Sequence, residues 1–186
     1  RDLVTTVCRI TRDSTVRKGY PPEHRIEPLR PPEVLHLKLS VLDQSPIKMG
    51  GAARDAVLAT IELAQLVDRL GYTRYWLAEH HNTQTLASPT PEILIPALAA
   101  TTTGIRVGSG GVMLSHYSPL KVAESFRMLE ALHPGRIDLG LGRAPGSDRR
   151  TAAALQPGPV GPPLESYPGQ VIDLMHYLHG ELPRDH

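Results

Sequence analysis

Tyr75-Trp76-Leu77-Ala78-Glu79-His80-His81-Asn82 decides how the chain is read. An apolar run stops abruptly in an acid, two histidines and an amide. A helix-like segment with a glycine stop at Gly71 precedes it, and a turn and a proline-led helix follow. This is the pattern of a buried parallel strand whose last residues reach the mouth of an α/β fold, where ligands sit outside the carboxyl ends of strands.

Working outward, apolar alternation begins at Leu35, and Leu37 to Leu42 form a strand that Ser45-Pro46 ends, because proline pushes its predecessor into extended geometry. A helix is expected over 52–70. Val57, Ile61 and Ala64 make one apolar row and Ala56, Leu63, Val67 and Leu70 its neighbour, which is the period of a half-buried helix. After the strand at 74–78, a second helix runs over about 91–102, capped by Thr90 and led by Pro91. Pro96 would remove a backbone bond there, so an irregular first turn or a later start is expected. Ile105 to Leu114 is the third strand. Ser118-Pro119 opens a third helix with Val122, Phe126 and Leu129 on its stripe, and 136–142 is the fourth strand. Strand onsets near 37, 74, 105 and 136 give a β–α repeat of some thirty residues, hence a parallel sheet with right-handed crossovers.

Two regions lie outside that rhythm. Residues 1–34, with Pro21-Pro22, Pro28, Pro31-Pro32 and scattered arginines, read as a loosely ordered arm with a short strand at 3–10. After Arg143 a long proline-rich loop is expected, then a helix over 165–179 with Val171, Leu174, Met175 and Leu178 on one face. A (β/α)₈ barrel takes about 250 residues. Four strands of eight therefore make residues 35–186 a truncated TIM barrel, its N-terminal half.

Composition bounds the function. The 186 residues are 40% apolar with a formal charge of +1, so no charge field demands nucleic acid or an anionic membrane. The single cysteine, Cys8, forms no internal disulfide, and no apolar leader core appears in the first thirty residues; a cytoplasmic protein is expected. No stretch approaches the roughly 20 apolar residues of a membrane span.

Three clusters can carry chemistry. In Glu79-His80-His81-Asn82, alternation sends the two histidines to opposite sides, so one faces the mouth as base or hydrogen-bond donor. The pair is a poor chelate, and no HExxH spacing or cysteine cluster supports a metal. The plainer alternative is polar decoration of a strand end. Gly108-Ser109-Gly110-Gly111 lets a flat ligand approach the backbone, or else marks a bulge. Gly140-Leu141-Gly142-Arg143-Ala144-Pro145-Gly146 puts a cation at a glycine-rich strand end, suited to a phosphate. It is one residue off the dinucleotide fingerprint, and Pro145 opens no helix, so a Rossmann reading fails.

Leu42-Asp43-Gln44-Ser45-Pro46, Trp76 to Asn82, Val107 to Leu114 and Pro134 to Gly146 together resemble the bacterial luciferase-like flavin monooxygenases. The resemblance implies a TIM barrel, reduced FMN as cofactor, oxygen as co-substrate, a small organic substrate, and a flavin reductase or other reduced-flavin supply. It implies that His80 is the catalytic histidine with Glu79 the acid beside it. The Gly110–Gly111 bond would be a cis peptide next to the flavin ring, with Ser109 in the same cofactor-binding run, and Arg143 would reach the FMN phosphate. Pairing into a homodimer through the helices at about 91–102 and 119–132 is also implied. Two alternatives stand beside it: a non-catalytic flavin-binding or dimerising half barrel, and a barrel for the deazaflavin F420. Because further phosphate contacts in the family come from the second half of the barrel, this chain alone is expected to bind FMN weakly or not at all and not to turn over.

Overall fold

The computed structural model describes residues 37–143, 148–155 and 164–180. The expected N-terminal arm, the Ala144-Pro145-Gly146 end of the glycine motif and the proline-rich run at 156–163 lie outside them. Among the described residues four strands and five helices follow in order: β1 (Ser40–Asp43), α1 (Ala53–Arg69), β2 (Arg74–Leu77), α2 (Pro91–Thr101), β3 (Arg106–Met113), α3 (Pro119–Leu132), β4 (Ile137–Gly142), α4 (Arg149–Leu155) and α5 (Tyr167–His179). A 3₁₀ turn at Leu114–His116 continues β3.

The sheet is all parallel, in the order β1-β2-β3-β4. Consecutive order with no reversal marks four units of a (β/α)₈ barrel; a doubly wound sheet reverses its order at a switch point. Alternate strand residues divide the sheet into two faces. Tyr75, Leu77 and Val107 face the helices and form a core with Ala64, Val67, Ile95, Leu98, Val122, Phe126, Leu129 and Leu174. On the opposite face, the barrel interior, a Cβ built on Gly110 would lie 2.9 Å from Trp76 Cβ and 3.1 Å from Leu42 Cδ1.

The N-terminal side of the sheet is fastened by charge. Asp138 accepts from Arg74 Nε at 2.9 Å and from Arg106 Nε and Nη2 at 2.9 and 2.6 Å. Hydrogen bonds from both arginines hold the Asp138 carboxyl below its ordinary range against the opposing effect of burial. Asp68 at the end of α1 accepts the backbone N–H groups of Thr103, Gly104 and Ile105, joining α1 to the entry of β3.

Five expectations need correction. Leu63 and Leu70 are 37% and 64% exposed, while Thr60 is buried in their place; its hydroxyl donates to Asp43 Oδ2 at 2.6 Å and sits 2.9 Å from Ser45 Oγ. α2 begins at Pro91 and runs through Pro96. Met175 is half exposed, and Leu174 is the buried residue of α5. The expected loop after Arg143 contains α4, which Asp148 opens: its Oδ1 accepts the N–H groups of Arg150 and Thr151. Thr90 and Ser118 stand before α2 and α3 without a capping side-chain bond, so the prolines that follow set those starts.

Candidate functional site

β2 delivers the site. Its ladder extends one residue past Leu77, where Ala78 N–H donates to Asp43 O at 2.9 Å. The chain then turns, and Asn82 adopts φ +52°, a left-handed conformation that asparagine tolerates better than most residues. Between these points four polar side chains separate. Glu79 turns inward, its side chain 1% exposed. One carboxylate oxygen accepts Met113 N–H at 3.0 Å and the other accepts Tyr117 O–H at 2.8 Å. His81 Nε2 lies 2.6 Å from that second oxygen and 3.2 Å from the Tyr117 hydroxyl. The tautomer with its proton on Nε2 donates to this oxygen. His80 is exposed and is held through its backbone, N–H to Ser88 O at 3.3 Å.

The surroundings shift neighbouring groups. Burial, then the charge and hydrogen bond of Glu79, push the Tyr117 phenol well above its ordinary value. Glu92, in the first turn of α2, is raised by burial and by the charge of Glu79, with its own backbone hydrogen bond and His81 opposing.

β3 supplies the next part. The Gly110–Gly111 peptide is cis, and the β3–β4 register shifts between Ser109 and Val112. The cis peptide and the bulge expected of the glycine run thus occur in one place. The glycines have a packing reason of their own. A Cβ on Gly108 would fall 2.2 Å from Asp138 O, and one on Gly111 2.7 Å from Leu141 C. Ser109 is not brought to the mouth: it is fully buried. Its hydroxyl donates to Gly140 O at 2.9 Å and accepts Gly140 N–H at 3.1 Å, replacing ladder bonds that the irregular register displaces.

β4 brings Arg143 to the same end of the sheet. Gly142 pairs with Met113, whose N–H is the one that Glu79 holds, and Arg143 follows directly. The exposed guanidinium lines a hollow with Glu165, Tyr167 and Pro168 at the head of α5. Burial raises the Tyr167 phenol and the nearby Arg143 charge opposes that shift.

His80 follows the end of β2, Arg143 follows the end of β4, and Gly110–Gly111 lies two residues before the end of β3, the strand between them. Sequence reading gave no role to Tyr117, Asp43 or Asn82. Tyr117 precedes a Ser-Pro helix start without any periodic signal. Asp43 is 8% exposed and accepts from Thr60, from Tyr75 O–H at 2.6 Å and from Ser45 N–H at 2.8 Å. Asn82 Nδ2 donates to Thr151 Oγ1 at 2.9 Å, a partner 69 residues away.

A parallel barrel segment with its polar groups gathered at the strand tips defines the class: an α/β barrel protein with its site at the carboxyl mouth. The luciferase-like monooxygenase family model matches residues 37–173, and the chain belongs to that family. A luciferase-like monooxygenase of Escherichia coli K12 is 48% identical over 150 residues, covering 81% of this chain and 44% of that protein. The crystal structure of apo-MsnO8 superposes with a TM-score of 0.75 at 50% identity, over 80% of this chain and 45% of that one. The FMN complex of the oxygenating constituent of 3,6-diketocamphane monooxygenase from Pseudomonas putida shares the fold, with a TM-score of 0.65 at 22% identity over 74% of this chain and 38% of that one. The chain thus spans a little under half the length of these relatives.

Proposed function

We propose that this chain contributes the first half of the active site of a flavin-dependent monooxygenase, which uses reduced FMN and oxygen to oxidise a small organic substrate. The observation that supports the reading most is the placing of His80 after β2, the cis Gly110–Gly111 peptide within β3 and Arg143 after β4, on three adjacent strands. The residues suit the cofactor. Arg143 offers a guanidinium for a phosphate. Leu42 and Trp76 line the interior face for a flat ring, and the glycine run exposes backbone beside it. Reduced flavin supplies the electrons that activate oxygen.

The chain's own groups bind, orient and move protons. His80 is the exposed imidazole at the mouth and takes or gives a proton there. Glu79, with both oxygens occupied by protein donors, acts through the groups it holds. Four strands of a fold that closes with eight leave the mouth open, so tight FMN binding calls for the remaining βα units, and the assembled protein is expected to draw on a reduced-flavin supply and to pair as a homodimer.

The test is an FMN titration by flavin fluorescence on the 186-residue chain and on a chimera joining residues 37–173 to the second half of the E. coli relative, with oxygen uptake and F420 reduction measured on both. Weak binding by the chain alone is expected. The chimera should bind at about micromolar Kd (near 8 kcal/mol) and consume oxygen, with Arg143→Ala weakening binding and His80→Asn slowing turnover at unchanged Kd. A folded chimera that binds no FMN, or one that works with F420 alone, overturns the reading.

A further inference from the structure

Below the Trp76 ring, the interior face of the sheet carries a charged layer. Strand alternation puts Arg74, two residues before Trp76, and Arg106, two before Gly108, on the same face as Leu42, Trp76 and Gly110. Asp138 joins them from β4 and accepts from Arg74 Nε and from Arg106 Nε and Nη2. Two guanidinium groups thus share one carboxylate. They are not equally provided for. Arg106 also donates to Gly135 O and Ile137 O, and Glu130 adds its charge from α3. Arg74 has its Nε bond to Asp138, while Nη1 and Nη2 have no partner among the described residues. Its register neighbour on β1 is Ser40, small and exposed. The Arg74 side chain is 39% exposed, so water solvates the free fork while this face is open.

We infer that this interior face is an interaction surface for a half barrel that carries a carboxylate level with Arg74, on the strand that pairs with β1, and that the Arg74 fork is what receives it. The inference rests on the reading that four further βα units close the sheet; it does not rest on the cofactor. The interior of a closed barrel is a packed core. Closure therefore strips water from Nη1 and Nη2. A guanidinium cannot shed its charge, and a buried charge without a partner costs more than packing returns. Asp138 already receives three donors on its two oxygens, so the acceptor has to come from the other half.

The layer also says where that acceptor stands. Arg106 and Asp138 occupy one side of Arg74. On the other side lies β1, the edge strand, which offers only Ser40 at this level. A carboxylate on a strand paired to β1 reaches over Ser40 to the fork, where two N–H groups can meet its two oxygens. Charge complementarity also rules against a second copy of this chain as the occupant. A copy would bring two more guanidinium groups and one more carboxylate into the same interior, doubling the unpaired positive charge.

The test compares Arg74→Met and Arg74→Lys in the 186-residue chain and in the chimera with the second half of the E. coli relative. Methionine keeps an apolar stem and removes the charge; lysine keeps the charge and loses the fork. In the chain alone, either variant should move the urea midpoint by less than about 0.5 M, as for an ion pair that water reaches. In the chimera, Arg74→Met should lower it by about 1 M or more, because the opposing carboxylate is left buried and unpaired, and Arg74→Lys should fall between. A crystal structure of the chimera should show a carboxylate of the second half within hydrogen-bond distance of Arg74 Nη1 or Nη2. Changing that acid to its amide should reproduce most of the Arg74→Met loss, with the double variant falling little further. Trp76 is the one tryptophan of the chain, so its emission reports this face directly; in the 186-residue chain it should not change with protein concentration. Equal midpoint shifts in chain and chimera, or an Arg74 fork that faces only water, carbonyl groups or a free anion, overturns the inference. So does Trp76 emission that moves to the blue as the chain dimerises, since a second copy then fills the face. A chimera that stays unfolded overturns it as well, because the face then does not accept that half. A chimera that closes on the carboxylate but binds no FMN removes the flavin reading and leaves this one standing.

Discussion

Replacing Glu79 by glutamine tests whether the β2 tip is built around a buried carboxylate. The side chain is 1% exposed and receives three donors, at 3.0, 2.8 and 2.6 Å. Hydrogen bonds to a charged group contribute about 1.5–3 kcal/mol each and neutral ones about 1. Glutamine can keep Met113 N–H on its carbonyl oxygen. Its NH₂ group then faces the Tyr117 hydroxyl, which can rotate to accept, and His81 Nε2, which must give up its proton to do so. Two charge-assisted bonds become weak or lost, a cost of about 2–3 kcal/mol. With a urea slope of about 2 kcal/mol/M, the unfolding midpoint should fall by roughly 1 M. Glu79→Ala leaves three donors without an acceptor and should cost about 4 kcal/mol, a large share of the 5–15 kcal/mol typical of a domain. Tyr117→Phe should cost about 1–2 kcal/mol and couple to Glu79→Gln by about 1 kcal/mol in a double-mutant cycle. A Glu79→Gln midpoint within about 0.3 M of wild type, or strict additivity with Tyr117→Phe, would refute the reasoning.

Two further predictions concern the frame. Asp68 carries a carboxyl that burial would raise but that the N–H groups of Thr103, Ile105 and Gly104 bring down from 3.8 to about 2. A lowered folded pKa means the unfolded chain takes up the proton first as pH falls, so the stabilisation is present above about pH 4 and disappears on the way to pH 2. The full shift is worth roughly 2.5 kcal/mol, and solvent screening at this exposed junction reduces it to about 1. The stability gap between wild type and Asp68→Ala, measured by urea unfolding, should narrow by that amount between neutral pH and about pH 2.5; a gap that is flat across the range would contradict this. Gly140→Ala places a Cβ 2.3 Å from Ser109 O and should cost at least about 3 kcal/mol, whereas Gly135→Ala, at φ +74° with open space, should cost about 1. Equal melting points for the two variants would remove the packing explanation for the glycine.

Much of this fold could be read from spacing alone, since apolar periodicity reports which face of an element is covered. Val122, Phe126 and Leu129 are all buried as their stripe implies. Thr60 could not be read that way. It is buried because Asp43 and Ser45 need its hydroxyl, and polar demand leaves no trace in a hydrophobic pattern. α4 was missed for a different reason. Asp148 followed by Arg149-Arg150-Thr151-Ala152-Ala153-Ala154-Leu155 is a cap and a run of good helix formers, but prolines on both sides pulled the reading toward loop. At the site, the strand tips were legible and their wiring was not. Glu79 reaches Met113 and Tyr117 across 34 and 38 residues, and Asn82 reaches Thr151 across 69. Local sequence says which residues are polar, not which distant ones they will meet.

That wiring explains why four polar residues follow so apolar a strand. The mouth of a barrel is the least covered part of the fold, where backbone pairing has ended and loops move most. A base placed there on an unsupported loop would be spread over many positions, and catalysis loses steeply with about 1 Å of misplacement. Anchoring the tip through His80 itself would tie up the ring to which the proposed function gives the chemistry. Its neighbours bear the anchoring instead, each toward a different element: Glu79 to β3, His81 to the approach to α3, Asn82 to α4. The adjacency of two histidines then leaves one ring bonded within the protein and the other exposed.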